Sequence, residues 1–126
     1  AEGMPVVWPV HPRIRGKVCT RKLRLIDPCG YIEMQKLIRH SKIVLTDSGG
    51  LQKEAFFHRV PCVTLRGETE WVELVDSGWN ELVAPCNSGK IVDCVSRIMN
   101  SEYKREVGHW YGKGDAAGKI ASVLSR

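Results

Sequence analysis

The chain has 126 residues, of which 43% are hydrophobic and 26% are charged, and its formal net charge at pH 7 is +5. These values are ordinary for a soluble globular protein and allow at most one domain, residues 1–126, with a substantial core. No apolar run approaches the roughly 18 residues that span a bilayer, and the N-terminus is not signal-like, so we expect no membrane association.

The apolar pattern predicts strands and helices that alternate along most of the chain. In chain order these are strands at 5–10 and 23–27, a helix at 31–39, a strand at 42–46, a helix at 49–58, a strand at 61–65, a short helix from 71 that Gly78 stops, a strand at 80–84, and helices at 91–99 and about 115–124. Nearly continuous apolar strands that alternate with helices are typical of a parallel sheet with helices on both faces. We therefore predict an α/β fold.

Polar segments follow four of the predicted strands, at 11–13, 27–30, 47–50 and 66–70. In open parallel sheets, ligands bind outside the carboxyl ends of the strands. Because these four segments converge on one edge, we expect the binding site there.

The segment Ser48-Gly49-Gly50 is the most informative of the four. It lies between the apolar run 43–45 and a predicted helix, and the first N–H groups of a helix favour a bound anion. Two glycines allow a diphosphate to approach the backbone closely. Glu54 lies one helical turn after Gly50 on the same face, where a carboxylate can accept hydrogen bonds from both ribose hydroxyls. The segment therefore predicts a nucleoside diphosphate site.

Structural interpretations of the same residues remain open. Ser48 can be a plain N-cap, and Glu54 can be a solvated helix residue. His11, before a proline, can be an ordinary loop histidine. Glu68 and Glu70 can lie at a solvated helix N-terminus, where acids are favoured.

Two features of composition bear on partners. Six basic residues fall within twelve positions that contain no acid: Arg13, Arg15, Lys17, Arg21, Lys22 and Arg24. They form either a solvated surface or a basic wall for a small anion, and nucleic acid is not expected because no nucleic-acid motif accompanies them.

The five cysteines include no C-x-x-C pair and are odd in number: Cys19, Cys29, Cys62, Cys86 and Cys94. That pattern favours reduced thiols in a cytoplasmic protein, without metal or cofactor.

The ordered series of segments resembles the C-terminal half of non-hydrolysing UDP-N-acetylglucosamine 2-epimerases. The resemblance runs through 9–13, 25–31, 45–55, 60–61, 65–66 and 69–70. It implies one Rossmann-like domain of a GT-B architecture, in which two such domains close over a UDP-sugar and the final helix crosses back to the first domain.

The resemblance also implies residue roles. Ser48, Gly49 and Gly50 would hold the diphosphate, Glu54 the ribose, and the loop and helix start from Cys29 to Met34 the uracil. Six further residues would line the cleft near the sugar and phosphates: His11, Arg13, Arg66, Glu68, Thr69 and Glu70. The catalytic acid and base are not assigned.

Two departures from the family pattern affect this prediction. Trp71 replaces an arginine that binds phosphate in the common form, a variant that resembles the branch with UDP-2,3-diacetamido-glucuronate epimerases. The sugar is therefore open. The family's upstream His-Arg-Arg-Glu segment is not in this chain, so we expect it to be a piece of something larger and inactive alone.

The predicted function is the UDP-binding half of an isomerase that interconverts UDP-GlcNAc and UDP-ManNAc in cell-surface polysaccharide biosynthesis. The expected partners are UDP, a UDP-2-acetamido sugar and the enzyme's N-terminal domain, and a homodimer of the full-length enzyme is left open. The alternatives are the nucleotide-binding domain of a GT-B glycosyltransferase and a non-catalytic module that binds nucleotide-sugar.

Overall fold

Strands and helices alternate in the computed structural model, which describes residues 4–18, 20, 22–100, 105 and 107–125. The elements are β1 (Val6–Pro9), α1 (Pro12–Arg15), β2 (Leu23–Ile26), α2 (Tyr31–His40), β3 (Val44–Thr46), α3 (Gly49–Phe57), β4 (Cys62–Thr64), α4 (Val72–Asp76), β5 (Asn80–Leu82), α5 (Ser88–Asn100) and α6 (Ala116–Leu124). The α/β class is confirmed, and each predicted strand and helix has its counterpart. Cys19 and Arg21, which the sequence analysis names, lie outside the described residues.

The strands pair in two parallel groups. One contains β1 and β2, and the other has the order β3-β4-β5. Val44 lies opposite Cys62, and Cys62 lies opposite Asn80, so the three strands of the second group end together at Thr46, Thr64 and Leu82. The loops that follow β3 and β4 therefore emerge side by side at one edge.

Helix α1 was not predicted. It has only four residues, too few for an apolar period, and it begins after His11 with proline at its first position, where a missing N–H costs nothing. The Nδ1 atom of His11 accepts a hydrogen bond from the Arg13 backbone N–H at 3.3 Å. His11 thus caps this helix.

A buried apolar cluster holds α2 and α3 against β3 and β4. Its members are Ile38, Val44, Ala55, Val60 and Cys62, with Met34 and Leu51 packed against them. Burial of an apolar side chain of this size contributes about 1.5–3 kcal/mol, so the cluster fixes the two helices that carry the candidate site.

Some apolar side chains of the strands stay exposed. Strand β3 is an edge strand, and Leu45 within it is 44% exposed, although the sequence predicts a buried strand there. Val6, Val7 and Trp8 of β1 are also exposed. Within the described residues, none of the helices has the length and apolar character that crossing a bilayer requires.

Candidate functional site

The start of α3 lies immediately beyond the end of β3. Ser48 is at the N-cap position, and its backbone N–H donates to Thr46 Oγ1 at 3.0 Å. Its own side chain makes no capping hydrogen bond. The Ser48 hydroxyl therefore does not satisfy the first N–H groups of the helix, which lie at its positive end.

A buried polar network joins this turn to the neighbouring strands. Gln52 is 1% exposed, and its Oε1 accepts hydrogen bonds from Thr69 Oγ1 at 2.6 Å and from Asn80 Nδ2 at 2.8 Å. Thr64 Oγ1 donates to Asn80 Oδ1 at 2.8 Å. Gln52 was not among the predicted site residues, and its role is to tie α3 to β5 and to the loop after β4. The Thr69 hydroxyl is part of this network.

Glu70 lies against the first residue of α3. A Cβ atom placed on Gly49 would come 3.4 Å from Glu70 Oε1, and Arg66 pairs with the same carboxylate at 3.5 Å. A backbone hydrogen bond and, after it, the positive charge of Arg66 hold the pKa of Glu70 below its ordinary value. A charged carboxylate thus lies beside the predicted diphosphate position.

Trp71 fixes the same turn from the other side. Its indole Nε1 donates to the Gly49 carbonyl at 3.0 Å. The Lys53 ammonium lies 4.2 Å from the centroid of the Trp71 ring and 5.0 Å from that of Tyr111. Burial and the hydrogen bond that Tyr111 donates to Glu73 raise the pKa of the phenol. Trp71 therefore has structural contacts at the place where the common family pattern has an arginine.

Glu54 is half-buried one turn into α3. Its Oε2 accepts a hydrogen bond of 2.8 Å from Gln35 Nε2 on α2, and Gln35 Oε1 lies 2.8 Å from His58 Nε2. Glu54 is therefore held in position by a neighbouring helix, unlike a simply solvated helix residue.

The start of α2 supplies the predicted uracil segment. The Gly30 N–H donates to Glu33 Oε2 at 3.0 Å, which closes the first turn of the helix. Cys29 is half-buried, the Met34 side chain packs on the apolar cluster, and Tyr31 is exposed. A shallow groove of about 700 Å³ lies alongside, lined by Ile26, Asp27, Pro28, Cys29, Glu33, Lys36, Leu37 and His40.

The structure brings some of the predicted residues together and leaves others apart. Contacts join α3 with Thr69 and Glu70, and Glu70 with Arg66. His11, Arg13 and Glu68 are exposed, and no hydrogen bond between described residues joins them to α3. Their predicted places in the cleft stay predictions.

Long-range partners were the main omission of the sequence interpretation. Gln35 and Gln52 both contact the candidate site, yet neither has a motif or spacing that points to it. Only the packing of α2 and of β5 against α3 reveals them.

Comparisons with known proteins identify the family of this chain. A sequence model of the family described as UDP-N-acetylglucosamine 2-epimerase matches residues 1–125. The UDP-2,3-diacetamido-2,3-dideoxy-D-glucuronate 2-epimerase of Pseudomonas aeruginosa is 47% identical over 126 residues, which cover 97% of this chain and 35% of that protein. A UDP-N-acetylglucosamine 2-epimerase homolog of Methanococcus maripaludis is 43% identical over a region that covers 94% of this chain and 35% of that protein. The chain thus spans about a third of the length of these curated relatives.

Solved structures give the same result. The Methanocaldococcus jannaschii UDP-GlcNAc 2-epimerase in complex with UDP-GlcNAc and UDP superposes with a TM-score of 0.80 at 33% identity, covering 96% of this chain and 35% of that one. The Neisseria meningitidis enzyme bound to UDP-GlcNAc gives a TM-score of 0.79 at 29% identity, covering 95% and 36%. The predicted resemblance is confirmed: the chain belongs to the UDP-N-acetylglucosamine 2-epimerase family.

Proposed function

We propose that this chain is the UDP-binding part of a UDP-2-acetamido-sugar 2-epimerase. The diphosphate binds at Ser48, Gly49 and Gly50, and the ribose hydroxyls bind Glu54. The uracil lies against the loop and helix start from Cys29 to Met34. His11, Arg13, Arg66, Glu68, Thr69 and Glu70 belong to the cleft near the sugar and phosphates.

One observation carries the proposal. The Ser48 side chain leaves α3 uncapped, and the half-buried carboxylate of Glu54 is fixed one turn further along the same helix. A helix N-terminus attracts a diphosphate, and a carboxylate at that distance suits the hydroxyls of the attached ribose. A plain phosphate would need only the first of these features.

The chemistry of epimerisation explains why a firm hold on UDP matters. The C2 hydrogen of the sugar has no adjacent carbonyl, so direct removal of that proton is unfavourable. Elimination removes the C2 proton to a base while UDP leaves C1 with the bonding electrons, giving a glycal. A proton then returns to the opposite face of C2 as UDP adds back to C1. UDP must stay bound between these steps, and holding it is the role we assign to this chain.

The sugar and the cellular setting extend the proposal. The name of the Pseudomonas aeruginosa relative favours a 2,3-diacetamido-glucuronate substrate, with UDP-GlcNAc as the other candidate. The enzyme acts in the cytoplasm in cell-surface polysaccharide biosynthesis. It completes its site with a second Rossmann-like domain, which supplies most of the catalytic carboxylates.

Calorimetric titration of the chain with UDP tests the binding claim. We expect measurable heat, and a loss of affinity of about 10- to 100-fold for Glu54→Ala, the scale of hydrogen bonds to a charged group. Asp93→Ala removes an exposed acid from α5 and is the matched control, with no expected change. No heat with UDP, or equal binding by the Glu54 variant, would refute the assigned site.

A glycosyltransferase would bind UDP through the same contacts. Proton NMR distinguishes the two activities. The UDP-sugar is incubated with the full-length enzyme to which we propose this chain belongs. An epimerase yields the C2 epimer without an acceptor, whereas a transferase leaves the sugar configuration at C2 unchanged.

A further inference from the structure

Two side chains outside the nucleotide segments form a short relay that ends on Glu54. Gln35 of α2 donates from Nε2 to Glu54 Oε2 at 2.8 Å. The other end of the same amide, Oε1, lies 2.8 Å from Nε2 of His58, which caps the C-terminus of α3. All three side chains are half-buried, so competition from water is reduced.

The order of donors and acceptors in this relay is fixed by its chemistry. An amide oxygen only accepts hydrogen bonds, so His58 Nε2 must carry the proton that it shares with Gln35. The Gln35 NH₂ group then faces the carboxylate. A flipped amide would place its oxygen against a carboxylate oxygen of Glu54, and neither of these oxygens can donate. The carboxylate therefore selects the amide orientation, and the N–H of His58 holds the other end of the amide in place.

The helices that carry the relay are themselves held firmly. Ile38 of α2 and Ala55 of α3 belong to the same buried cluster, so the backbones beneath Gln35 and Glu54 keep a constant separation. A free glutamate side chain loses rotamer entropy when a ligand immobilises it. A carboxylate that is already held loses less of this entropy on binding.

We propose that Gln35 is a positioning residue for ribose recognition, and that His58 keeps its amide in the productive orientation. The inference rests on the proposed binding of the ribose hydroxyls by Glu54 and adds the reason for their selective recognition. Gln35 acts through Glu54 and does not touch the nucleotide. Its contribution to affinity therefore exists only for ligands that carry the 2′- and 3′-hydroxyls.

Paired titrations with UDP and 2′,3′-dideoxy-UDP test this inference. Gln35→Leu keeps the approximate volume and removes the amide, and it should weaken UDP binding about five- to tenfold, less than the loss of a direct hydrogen bond to a charged group because Gln35 acts through Glu54. Affinity for the dideoxy ligand should not change. His58→Ala should also weaken UDP binding, and it should cause no additional loss when combined with Gln35→Leu, since the two act through one route.

Arg39→Ala, an exposed change on α2, is the control for effects on the helix itself. A fall of equal size for both ligands in Gln35→Leu would mean that Gln35 only supports the fold, and this would overturn the inference. Unchanged UDP affinity in that variant would also overturn it, while normal UDP binding by the unaltered chain and its loss in Glu54→Ala would leave the proposed function standing. Absence of UDP binding by the unaltered chain would overturn both.

Discussion

The indole N–H of Trp71 donates a 3.0 Å hydrogen bond to the backbone carbonyl of Gly49. This contact joins the segment after β4 to the first residue of α3, 22 positions earlier in the chain. A side chain that holds the carbonyl also restricts the peptide plane of the turn. The N–H groups assigned to the diphosphate are therefore oriented before a ligand arrives.

Trp71→Phe should weaken UDP binding because it keeps an aromatic ring and removes the donor. We expect a loss of about fivefold in affinity and about 1 kcal/mol in the free energy of unfolding, the scale of one neutral hydrogen bond. Calorimetry with UDP and urea denaturation measure the two effects. Trp110→Phe is the matched control, since Trp110 contacts Phe56 and lies outside the turn. Equal loss of UDP affinity in both variants would contradict a specific role for Trp71.

Glu70→Gln should strengthen UDP binding. The Glu70 carboxylate lies beside Gly49 and occupies Arg66, so the variant removes a like charge and frees a cation for the diphosphate. Because the pair of Arg66 and Glu70 is exposed, we expect a gain of about threefold in affinity for UDP, and this gain should become smaller at high salt. Uridine, which has no phosphates, should bind both proteins equally. Tighter uridine binding by the variant would point to a rearranged site instead.

The pH dependence of Glu70 has a defined sign. Because its pKa is lowered in the folded state, Glu70 contributes stability above its unfolded pKa, and this contribution disappears as the pH falls through the folded value. The unaltered chain should therefore lose more stability than Glu70→Gln across that acidic range. Urea denaturation at a series of acidic pH values checks the difference, and parallel curves for the two proteins would show that Glu70 contributes nothing.

Gln52→Leu should destabilise the fold. The change leaves Thr69 and Asn80 without their shared acceptor in a region where Gln52 is 1% exposed. We expect a decrease of about 2–3 kcal/mol in the free energy of unfolding, since buried polar groups that lose their partners each cost about 1–3 kcal/mol. The same substitution at half-buried Gln35 is the control and should cost less. Comparable urea midpoints for both variants would contradict the assigned network.

The free energy of unfolding should decrease in alkaline solution because the Cys62 thiol is buried. Burial raises the pKa of its thiol to about 11, against a smaller opposing effect of the hydrogen bond with Thr64. A raised pKa gives stability that is fully present below the ordinary value of 9.0 and is lost as the pH rises toward 11. Cys62→Ala should remove that part of the decline. Mass spectrometry after thiol labelling gives a second check, because exposed Cys86 should react in the native chain and Cys62 only after unfolding.

The sequence predicted most of the fold because its signals are local. The strand, the turn and the helix around Ser48 follow from neighbouring residues, and the structure has all three. Exposure of Leu45 could not be predicted, because it depends on which strand lies at the edge of the sheet. The partners of Glu54 and Gln52 come from other elements, so no single stretch of sequence indicates them.

The buried position of Gln52 separates two kinds of residue within one motif. The Ser48 and Glu54 side chains, which we propose contact UDP, are partners of no fully buried polar side chain, whereas a change at Gln52 disturbs the loop after β4. Loss of UDP binding is therefore evidence of direct contact at Ser48 and Glu54 only when stability is retained. At Gln52 the same loss would report on folding, and a scan of this segment that measured binding alone would count one residue too many as a ligand.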